Sequence, residues 1–423
     1  MGNRREVRVL VVGQGYVGLP LAMRAVEVGH TVCGYDADPG RVARLVAGES
    51  YVEDIGDERL RAAIATGRYS ASSDSGCCTG FDVAVVTVPT PLREGLPDLS
   101  YIEQAAETIG AHLRPGNTAV LESTTYPGTT EELFGPILER ASGLTAGKDF
   151  FLGYSPERID PGNPVWNLVN TPKVVSGIDA ASLAAVQAFY DTLVDKTFPV
   201  RGCKEAELTK LLENTFRHVN VALVNELAMF ASDLGIDVWE AIDAAASKPF
   251  GFMSFRPGPG VGGHCLPIDP SYLSWRVKRQ LGESFRFVEL ANDINDHMPA
   301  YVVQRVQVAL NRFERAVKGS RILLLGLAYK RNTSDDRESP AVVVADRLVG
   351  LGAHVRAADP HVLGQHADQR VVRVELNADE VEAADLVVVL TDHDAFDYEL
   401  VGAARHVLDT RRRLDPAPNV EYL

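Results

Sequence analysis

The chain has 423 residues, of which 42 are lysine or arginine and 57 are aspartate or glutamate, so its formal charge is −15. At about 150 residues per domain, this length predicts two to three domains. With 46% apolar and 23% charged residues, the composition is that of a globular protein. It excludes a disordered chain, a collagen and a small disulfide scaffold. The acidic balance argues against a nucleic-acid-binding protein, which is usually basic.

The cysteine pattern predicts the compartment. No pair among Cys33, Cys77, Cys78, Cys203 and Cys265 has the CxxC spacing of a zinc or redox site. An odd count without such spacing favours a reducing environment, so we expect a cytoplasmic protein without a bound metal. No apolar run reaches the roughly 20 residues of a membrane helix, so we expect no membrane association.

The first part of the chain alternates short β-branched runs with helical patterns. A helix is predicted at 16–29, and strands are predicted at 7–12, 31–35, 81–88, 117–121, 150–154 and 173–176. Strands that alternate with helices predict βαβ units and a parallel sheet.

From residue 204 the pattern becomes helical. Residues 204–235 keep helical periodicity over some thirty residues, which is long for a globular protein. Its apolar positions wrap more than one face, so this helix could join two domains and carry a dimer contact. Further helices are predicted at 238–246, 270–281 and 289–315.

Strands and helices alternate again towards the end of the chain. Strands are predicted at 321–325, 353–357 and 386–390 and a helix at 340–351, while two prolines predict an irregular tail over 411–423. The predicted fold is α/β, with two Rossmann-like doubly wound domains joined by a long central helix and a helical middle domain. The predicted domains are 1–200, 201–315 and 316–423.

A glycine motif indicates a dinucleotide site. Gly13, Gly15 and Gly18 fit G-x-G-x-x-G between a predicted strand and a helix, with Tyr16 and Val17 inside the motif. Such glycines let the backbone approach a pyrophosphate at a helix N-terminus. Asp36 follows the next strand, where a carboxylate binds the ribose hydroxyls and repels a 2′-phosphate, which favours NAD over NADP. Arg41 is a further candidate cofactor contact that could hold a 2′-phosphate, but with Asp36 in place its position favours the helix surface.

A second motif carries a candidate nucleophile. Cys265 follows a run of glycines that ends at Gly263, and Asp269 precedes Pro270. We expect Asp269 to be an N-cap with Pro270 at the first helical position. A cysteine just before a helix N-terminus can have a lowered pKa. A buried structural cysteine is the alternative, and core packing is the expectation for Cys33.

Polar residues cluster at three other places. Lys210, Asn214, Arg217 and His218 share one face of the long helix, which is either a solvated stripe or a functional face. The segments 122–130 and 155–158 each follow a predicted strand, so they reach the edge of a parallel sheet where ligands bind. Capping and turn formation explain many of these residues, but a glutamate at that edge, Glu157, is harder to explain in this way.

Taken together, these motifs resemble the nucleotide-sugar 6-dehydrogenases, the family that includes UDP-glucose dehydrogenase. The resemblance extends from residue 9 to about 357 and rests on seven blocks: GQGYVGLP (13–20), TVPTP (87–91), ESTTYPGTTEE (122–132), SPERIDPGN (155–163), EAELTKLLENTFRHVNVALVNELA (205–228), GPGVGGHCLPIDP (258–270) and LGLAYKRNTSDDRESP (325–340). It implies a four-electron oxidation of the C6 alcohol of a UDP-hexose to a carboxylate by two NAD. It also implies that the N-terminal domain binds NAD and the C-terminal domain the UDP-sugar.

The resemblance also implies residue roles. Cys265 would capture the aldehyde as a thiohemiacetal, which is oxidised to a thioester and hydrolysed. Lys210 would stabilise the oxyanion, Asn214 would hold the same oxygen or the sugar, and Asp269 would position protons and water. Thr124 and Glu157 would orient a water, with Glu157 a candidate base. The implied NAD contacts include Thr90 and Thr124, and the implied or candidate substrate contacts are Glu157, Arg158, Lys210, Asn214, Arg256, Gly262, Lys330 and Arg337.

The sequence ranks the possible sugars without deciding between them. The segment 249–255 and the GGHCLPIDP ending are most similar to the UDP-N-acetylglucosamine enzymes, ahead of those for UDP-glucose and UDP-N-acetylmannosamine. Two other functions are also consistent with the sequence. A two-electron hydroxy-acid dehydrogenase would not need Cys265, and a non-catalytic protein that binds NAD or a UDP-sugar would not need Cys265 and Lys210 together. We expect a homodimer.

Overall fold

The structure, a computed structural model, describes residues 6–52, 54–93, 96–159, 163, 165–263, 266 and 268–423. The chain divides into two compact units, residues 1–213 and 214–423. The boundary lies within the long helix that the sequence predicts. The finer division into three domains stays a prediction.

In its described part, the first unit contains an eight-stranded sheet and a small hairpin. Its strands are β1 (Arg8–Val12), β2 (Thr31–Tyr35), β3 (Tyr69–Ser72), β4 (Val83–Val86), β5 (Leu92–Arg93), β6 (Leu96–Pro97), β7 (Thr118–Leu121), β8 (Phe151–Tyr154), β9 (Lys173–Gly177) and β10 (Thr197–Pro199). The sheet order is β10-β9-β8-β7-β4-β1-β2-β3, and β5 pairs with β6. Within the sheet, neighbouring strands are parallel except β8 and β9, which are antiparallel, as are β5 and β6 of the hairpin. The order around β1 is that of a Rossmann sheet.

Helices cover both faces of this sheet. They are α1 (Gly18–Glu27), α2 (Pro39–Val46), α3 (Asp57–Ala65), α4 (Ser100–Gly110), α5 (Gly135–Ser142) and α6 (Ala180–Tyr190). Successive residues of β1 point to opposite faces, so Val9 and Val11 join one apolar cluster and Leu10 and Val12 join another. Burial on both sides explains the continuous apolar run of this strand.

The long helix is α7 (Cys203–Leu234), which matches the prediction at 204–235 to within one residue at each end. After it come α8 (Val238–Ala246), α9 (Asp269–Leu281) and α10 (Arg286–Arg312). Among the described residues, no helix is both long and apolar enough to cross a membrane.

The second unit contains a parallel sheet of six described strands. These are β11 (Arg321–Leu325), β12 (His354–Ala358), β13 (Val372–Arg373), β14 (Leu386–Val389), β15 (Val407–Asp409) and β16 (Val420–Tyr422), with the helices α11 (Pro340–Gly350), α12 (Ala378–Ala383) and α13 (Tyr398–Gly402). The sheet order is β13-β12-β11-β14-β15-β16. This is again the Rossmann order, so the predicted fold class is confirmed.

Two local predictions are wrong. The tail is not irregular throughout, because Val420–Tyr422 forms β16 and pairs with β15. Asp269 is not the N-cap of α9: Ile268 occupies the cap position, and Asp269 is the first residue of the helix. The Asp269 carboxylate instead accepts a hydrogen bond from the Asn214 side chain.

Candidate functional site

The glycines of the loop between β1 and α1 have two different roles. Gly13 has a φ of +91°, and a Cβ there would lie 2.7 Å from the Thr87 carbonyl oxygen. A Cβ on Gly18 would lie 1.9 Å from the Gly13 oxygen, so packing alone requires both glycines. A Cβ on Gly15 would have no heavy atom within 4 Å. The missing side chain of Gly15 therefore leaves open space beside the backbone, as close approach of a pyrophosphate requires.

Asp36 lies directly after β2 and is fixed beside this loop. Its Oδ2 accepts a hydrogen bond from the Gln14 N–H at 2.8 Å, and its Oδ1 accepts one from the Asp38 N–H at 3.0 Å. Arg41 lies on α2 with its Nη1 3.9 Å from the Asp36 Oδ2. The arrangement presents a carboxylate where the ribose of a dinucleotide lies in Rossmann domains, and this fits NAD.

The other residues predicted to contact NAD extend along the same sheet edge. Val17 is the N-cap of α1, and Tyr16 is exposed and lines a surface pocket with Pro20 and Trp166. Thr90 and Thr124 are half-buried in the segments that follow β4 and β7. Because β1, β4 and β7 are neighbours in the parallel sheet, their carboxyl ends lie at one edge.

The second unit also has an aspartate directly after the second strand of its Rossmann order, but this carboxylate has a different role. Asp359 follows β12 as Asp36 follows β2, yet its side chain is completely buried. Its Oδ2 accepts hydrogen bonds from the N–H groups of Leu327 at 2.6 Å and Ala328 at 3.0 Å, and lies 3.0 Å from the His393 Nε2. Its Oδ1 accepts two more backbone N–H groups. Since its acceptor sites are occupied within the chain, Asp359 has a structural role, and the dinucleotide site belongs to the first unit.

Lys210 and Asn214 lie one turn apart on α7. Lys210 is only 8% exposed, and no hydrogen bond or ion pair joins its ammonium group to another described residue. Because its ammonium group has no such partner, it can bind a ligand, which marks Lys210 as a functional candidate. The Asn214 Nδ2 donates to the Asp269 Oδ2 at 2.5 Å. This bond attaches the start of α9 to α7, immediately after the segment that contains Cys265.

The rest of the predicted polar face has other surroundings. The His218 Nε2 lies 2.7 Å from the Asn292 Oδ1, and burial lowers the pKa of His218. Arg217 is exposed. The face therefore divides into a buried pair, Lys210 and Asn214, a histidine bonded to α10 and an exposed arginine.

Both carboxylate oxygens of Glu157 have partners within the first unit. Its Oε1 accepts the backbone N–H groups of Arg158 at 2.7 Å and Ile159 at 2.6 Å, and its Oε2 lies 3.2 Å from the Lys173 Nζ. Burial raises the pKa of Glu157, but the Lys173 charge and the hydrogen bonds outweigh burial and lower it to about 2. The Arg158 guanidinium, a predicted substrate contact, donates to Glu213 at 2.6 Å and to the Pro172 oxygen at 2.6 Å.

Glu207, which no sequence prediction includes, anchors the segment 122–130 to α7. Its carboxylate accepts the Gly128 N–H at 2.5 Å, and the Thr130 N–H and hydroxyl at 2.8 and 2.7 Å. Burial raises its pKa to about 7. The signal was present in the spacing, because Glu207, Lys210, Leu211 and Asn214 follow i, i+3, i+4, i+7 and all are buried.

In the second unit, the glycine loop before Cys265 packs against the segment that contains Lys330 and Arg337. A Cβ on Gly262 would lie 2.6 Å from the Glu338 oxygen, and a Cβ on Gly263 would lie 2.6 Å from the Tyr329 ring. Packing therefore requires these glycines. The predicted nucleophile, Cys265, lies outside the described residues together with its neighbours 264 and 267.

The three predicted cationic contacts of the second unit have different surroundings. Arg256 forms an ion pair with Asp243, and its guanidinium lies 5.7 Å from the Trp239 ring. The Arg337 guanidinium donates to both Asp335 oxygens at 2.7 and 2.6 Å. Lys330 is half-buried.

Three family profiles match this chain in order. Residues 7–194 match the NAD binding domain, 204–297 the central domain and 323–416 the UDP binding domain of the UDP-glucose/GDP-mannose dehydrogenase family. A UDP-N-acetyl-D-glucosamine 6-dehydrogenase of Pseudomonas aeruginosa is 37% identical over 97% of this chain and 98% of its own. A UDP-N-acetyl-D-mannosamine dehydrogenase of Pyrococcus horikoshii is 35% identical over 97% of both chains. The solved structure of a Pyrococcus horikoshii UDP-D-ManNAc dehydrogenase has a TM-score of 0.89 at 33% identity and covers 98% of both chains.

Proposed function

Because the chain belongs to the UDP-glucose/GDP-mannose dehydrogenase family, we propose that it oxidises the C6 hydroxyl of a UDP-hexose to a carboxylate through a covalent intermediate on Cys265. The observation that carries the proposal is the buried face of α7. There Lys210 has no hydrogen bond or ion pair with the described residues, and Asn214 holds Asp269 at the end of the cysteine segment.

The proposed reaction has four chemical steps. Bound NAD supplies the hydride acceptor for the oxidation of alcohol to aldehyde and again for the second oxidation. Between the two, the Cys265 thiolate attacks the aldehyde carbon and forms a thiohemiacetal, which the second oxidation converts to a thioester. Water then attacks the acyl carbon, the carbon–sulfur bond breaks and the acid leaves. Covalent capture divides a difficult oxidation into easier steps and retains the aldehyde.

The described residues support roles around this intermediate. The Lys210 ammonium would stabilise the negative charge that develops on oxygen, since a cation held in position acts strongly at short range. Asn214 would hold the same oxygen or the sugar, while Asp269 would position protons and water. Thr124 and Glu157 would orient the attacking water. A carboxylate with a pKa of about 2 accepts a hydrogen bond from water readily but is a weak base, so orientation fits Glu157 better than proton abstraction.

The UDP pyrophosphate needs local positive charge on a chain of net charge −15. Lys330 and Arg337 are the proposed contacts, together with the Gly262 backbone, because their chain neighbours Tyr329 and Glu338 pack against the glycine loop. Arg256 and Arg158 are further candidates, and, like Arg337, each already pairs with a carboxylate of its own unit.

We favour UDP-N-acetylglucosamine as the substrate, with UDP-N-acetylmannosamine and UDP-glucose as alternatives. The ranking rests on the segment 249–255 and on relatives of similar identity that act on the first two sugars. The cytoplasmic location stays a prediction.

The proposed assembly is a homodimer through α7. Exposed apolar side chains recur along this helix at Leu208, Leu212, Phe216, Leu223, Leu227, Phe230 and Leu234. At about 100° per residue they fall within an arc of about 100°, roughly opposite the face of Lys210 and Asn214. A continuous exposed apolar stripe of this length favours burial against a second copy.

The experiment is the Cys265→Ala variant, with NADH and sugar-acid formation measured beside NAD and UDP binding. We expect no acid, with both binding constants close to those of the wild type. Full acid formation would contradict the covalent route, and binding without turnover in the wild type would favour a non-catalytic protein. The control is Cys203→Ala, a buried cysteine at the start of α7.

A further inference from the structure

A buried polar cluster lies behind Glu157. It consists of Glu122, Glu157, Lys173 and Tyr190 and contains two carboxyl groups and one ammonium group. The Glu122 and Lys173 side chains are 0% and 3% exposed, and the Glu157 side chain is 12% exposed. Charged groups are almost never buried to this extent unless they are paired, and here one ammonium group pairs with two carboxyl groups.

Lys173 connects the two carboxyl groups. Its Nζ forms an ion pair with Glu122 and lies 3.2 Å from the Glu157 Oε2. The Tyr190 hydroxyl donates to the other oxygen of Glu122 at 2.6 Å, and the Lys173 Nζ lies 5.3 Å from the centre of the Tyr190 ring. Glu122 is therefore held from both oxygens, which fixes the position of the ammonium group.

The sheet topology explains how a lysine reaches this place. Glu122 follows β7 and Glu157 lies shortly after β8, so both are at the carboxyl edge of the sheet. Since β9 is antiparallel to β8, its first residue, Lys173, lies at that same edge.

We propose that Lys173 is a positioning residue for the hydrolysis step: its buried ammonium group, anchored by Glu122, holds the Glu157 carboxylate ionised and in one orientation. This inference rests on the proposed function for the water-orienting role of Glu157. In that step a water oxygen bonds to the acyl carbon, the carbon–sulfur bond breaks, one water proton goes to the thiolate and the acid proton goes to solvent. An ionised carboxylate orients this water by accepting a hydrogen bond from it.

The charges around Glu157 support this assignment. Lys173 faces it from β9 and Lys210 from α7, while Glu122 is the opposing carboxyl group at the end of β7. Burial, offset only in part by Lys173, raises the pKa of Glu122 to about 7, whereas the pKa of Glu157 is lowered to about 2. The two backbone N–H groups that donate to the Glu157 Oε1 stabilise its ionised form, so they favour the negative charge on Glu157.

The first test needs no turnover. Carbon-13 NMR of labelled glutamate carboxyl groups follows the resonance that Glu157→Gln removes. In the wild type, this resonance should not titrate between pH 4 and 8. In Lys173→Met its titration should move up by about 1–3 pH units and into that range, because removal of a neighbouring opposite charge raises a carboxyl pKa while burial still opposes ionisation. An unchanged resonance in Lys173→Met would overturn the proposal.

The second test is the pH dependence of sugar-acid formation. We expect an acid limb in Lys173→Met, with the ratio of rates at pH 8 and pH 5 at least about threefold larger than in the wild type. At pH 5 the variant should accumulate an acyl adduct on Cys265, visible by intact mass, because both oxidations precede the attack by water. A rate that falls equally at every pH would indicate a merely structural role and overturn the proposal.

Matched variants separate charge from folding. Lys173→Met/Glu122→Gln removes the second carboxyl group together with the ammonium group, so a titration that persists belongs to Glu157, and the variant should show the same acid limb. Lys196→Met changes an exposed lysine of the same unit and should retain the wild-type profile. If the Glu157 resonance shifts as expected but the wild type makes no acid from any UDP-sugar, the proposed function fails while the control of ionisation by Lys173 stands.

Discussion

Gly15→Ala separates a glycine needed by a ligand from one needed by the fold. A Cβ at this position meets no heavy atom within 4 Å, so the folded protein accommodates the methyl group. We expect the free energy of unfolding to change by less than about 1 kcal/mol. The methyl group would occupy the space that we assign to the NAD pyrophosphate. Loss of two charge-assisted hydrogen bonds, at about 1.5 kcal/mol each, would weaken NAD binding by about 100-fold.

The assay combines isothermal titration with NAD and denaturant unfolding of the same preparations. Gly350→Ala is the matched control, since a Cβ on this glycine of α11 would also have no neighbour within 4 Å. Gly18→Ala provides the contrast and should lose the fold, because its Cβ would lie 1.9 Å from the Gly13 oxygen. Unchanged NAD affinity in a folded Gly15→Ala variant would refute the assignment of this space to the pyrophosphate.

Three further predictions concern the cofactor, stability and assembly. Asp36→Asn should weaken NAD binding by about tenfold or more and reduce the preference over NADP, as competitive titration would show; an unchanged preference would contradict the ribose contact. Burial opposes ionisation of Asp359, but His393 and the backbone N–H groups hold its pKa well below the usual range. It therefore contributes stability above about pH 4 that is lost as the pH falls towards its folded pKa. The difference in urea stability between wild type and Asp359→Asn should be about 2–4 kcal/mol at pH 7 and shrink towards pH 3, whereas a constant difference would contradict the charge argument. Leu227→Glu/Phe230→Glu should convert the proposed dimer to a monomer in sedimentation experiments, and an unaltered mass would exclude the stripe as the interface.

The long elements could be predicted because their patterns are local. The period of α7 and the buried apolar runs of β1 and β11 are visible in the sequence, and their bounds agree closely with the structure. The short edge strands β10 and β16 have only three residues each. Their pairing depends on neighbouring strands rather than on local pattern, so the sequence did not reveal them.

The candidate site was predictable where a residue follows a strand or shares a helix face. Asp36, Glu157, Lys210 and Asn214 were found in this way. Lys173 was not, because a lysine at the start of a strand is normally exposed, and only the antiparallel pairing of β9 buries it. Likewise, local spacing assigns the Asp269 carboxylate to a helix cap. In the structure this carboxylate accepts a hydrogen bond from the Asn214 side chain, 55 positions away in the sequence, which local spacing could not reveal.

The central claim, a four-electron oxidation of a UDP-hexose, is tested most directly by the yield of NADH per mole of sugar consumed. The measurement compares UDP-N-acetylglucosamine, UDP-N-acetylmannosamine and UDP-glucose with excess NAD. We predict two NADH per mole, with UDP-N-acetylglucosamine the preferred substrate. One NADH per mole would contradict the account and indicate a two-electron dehydrogenase that does not need Cys265.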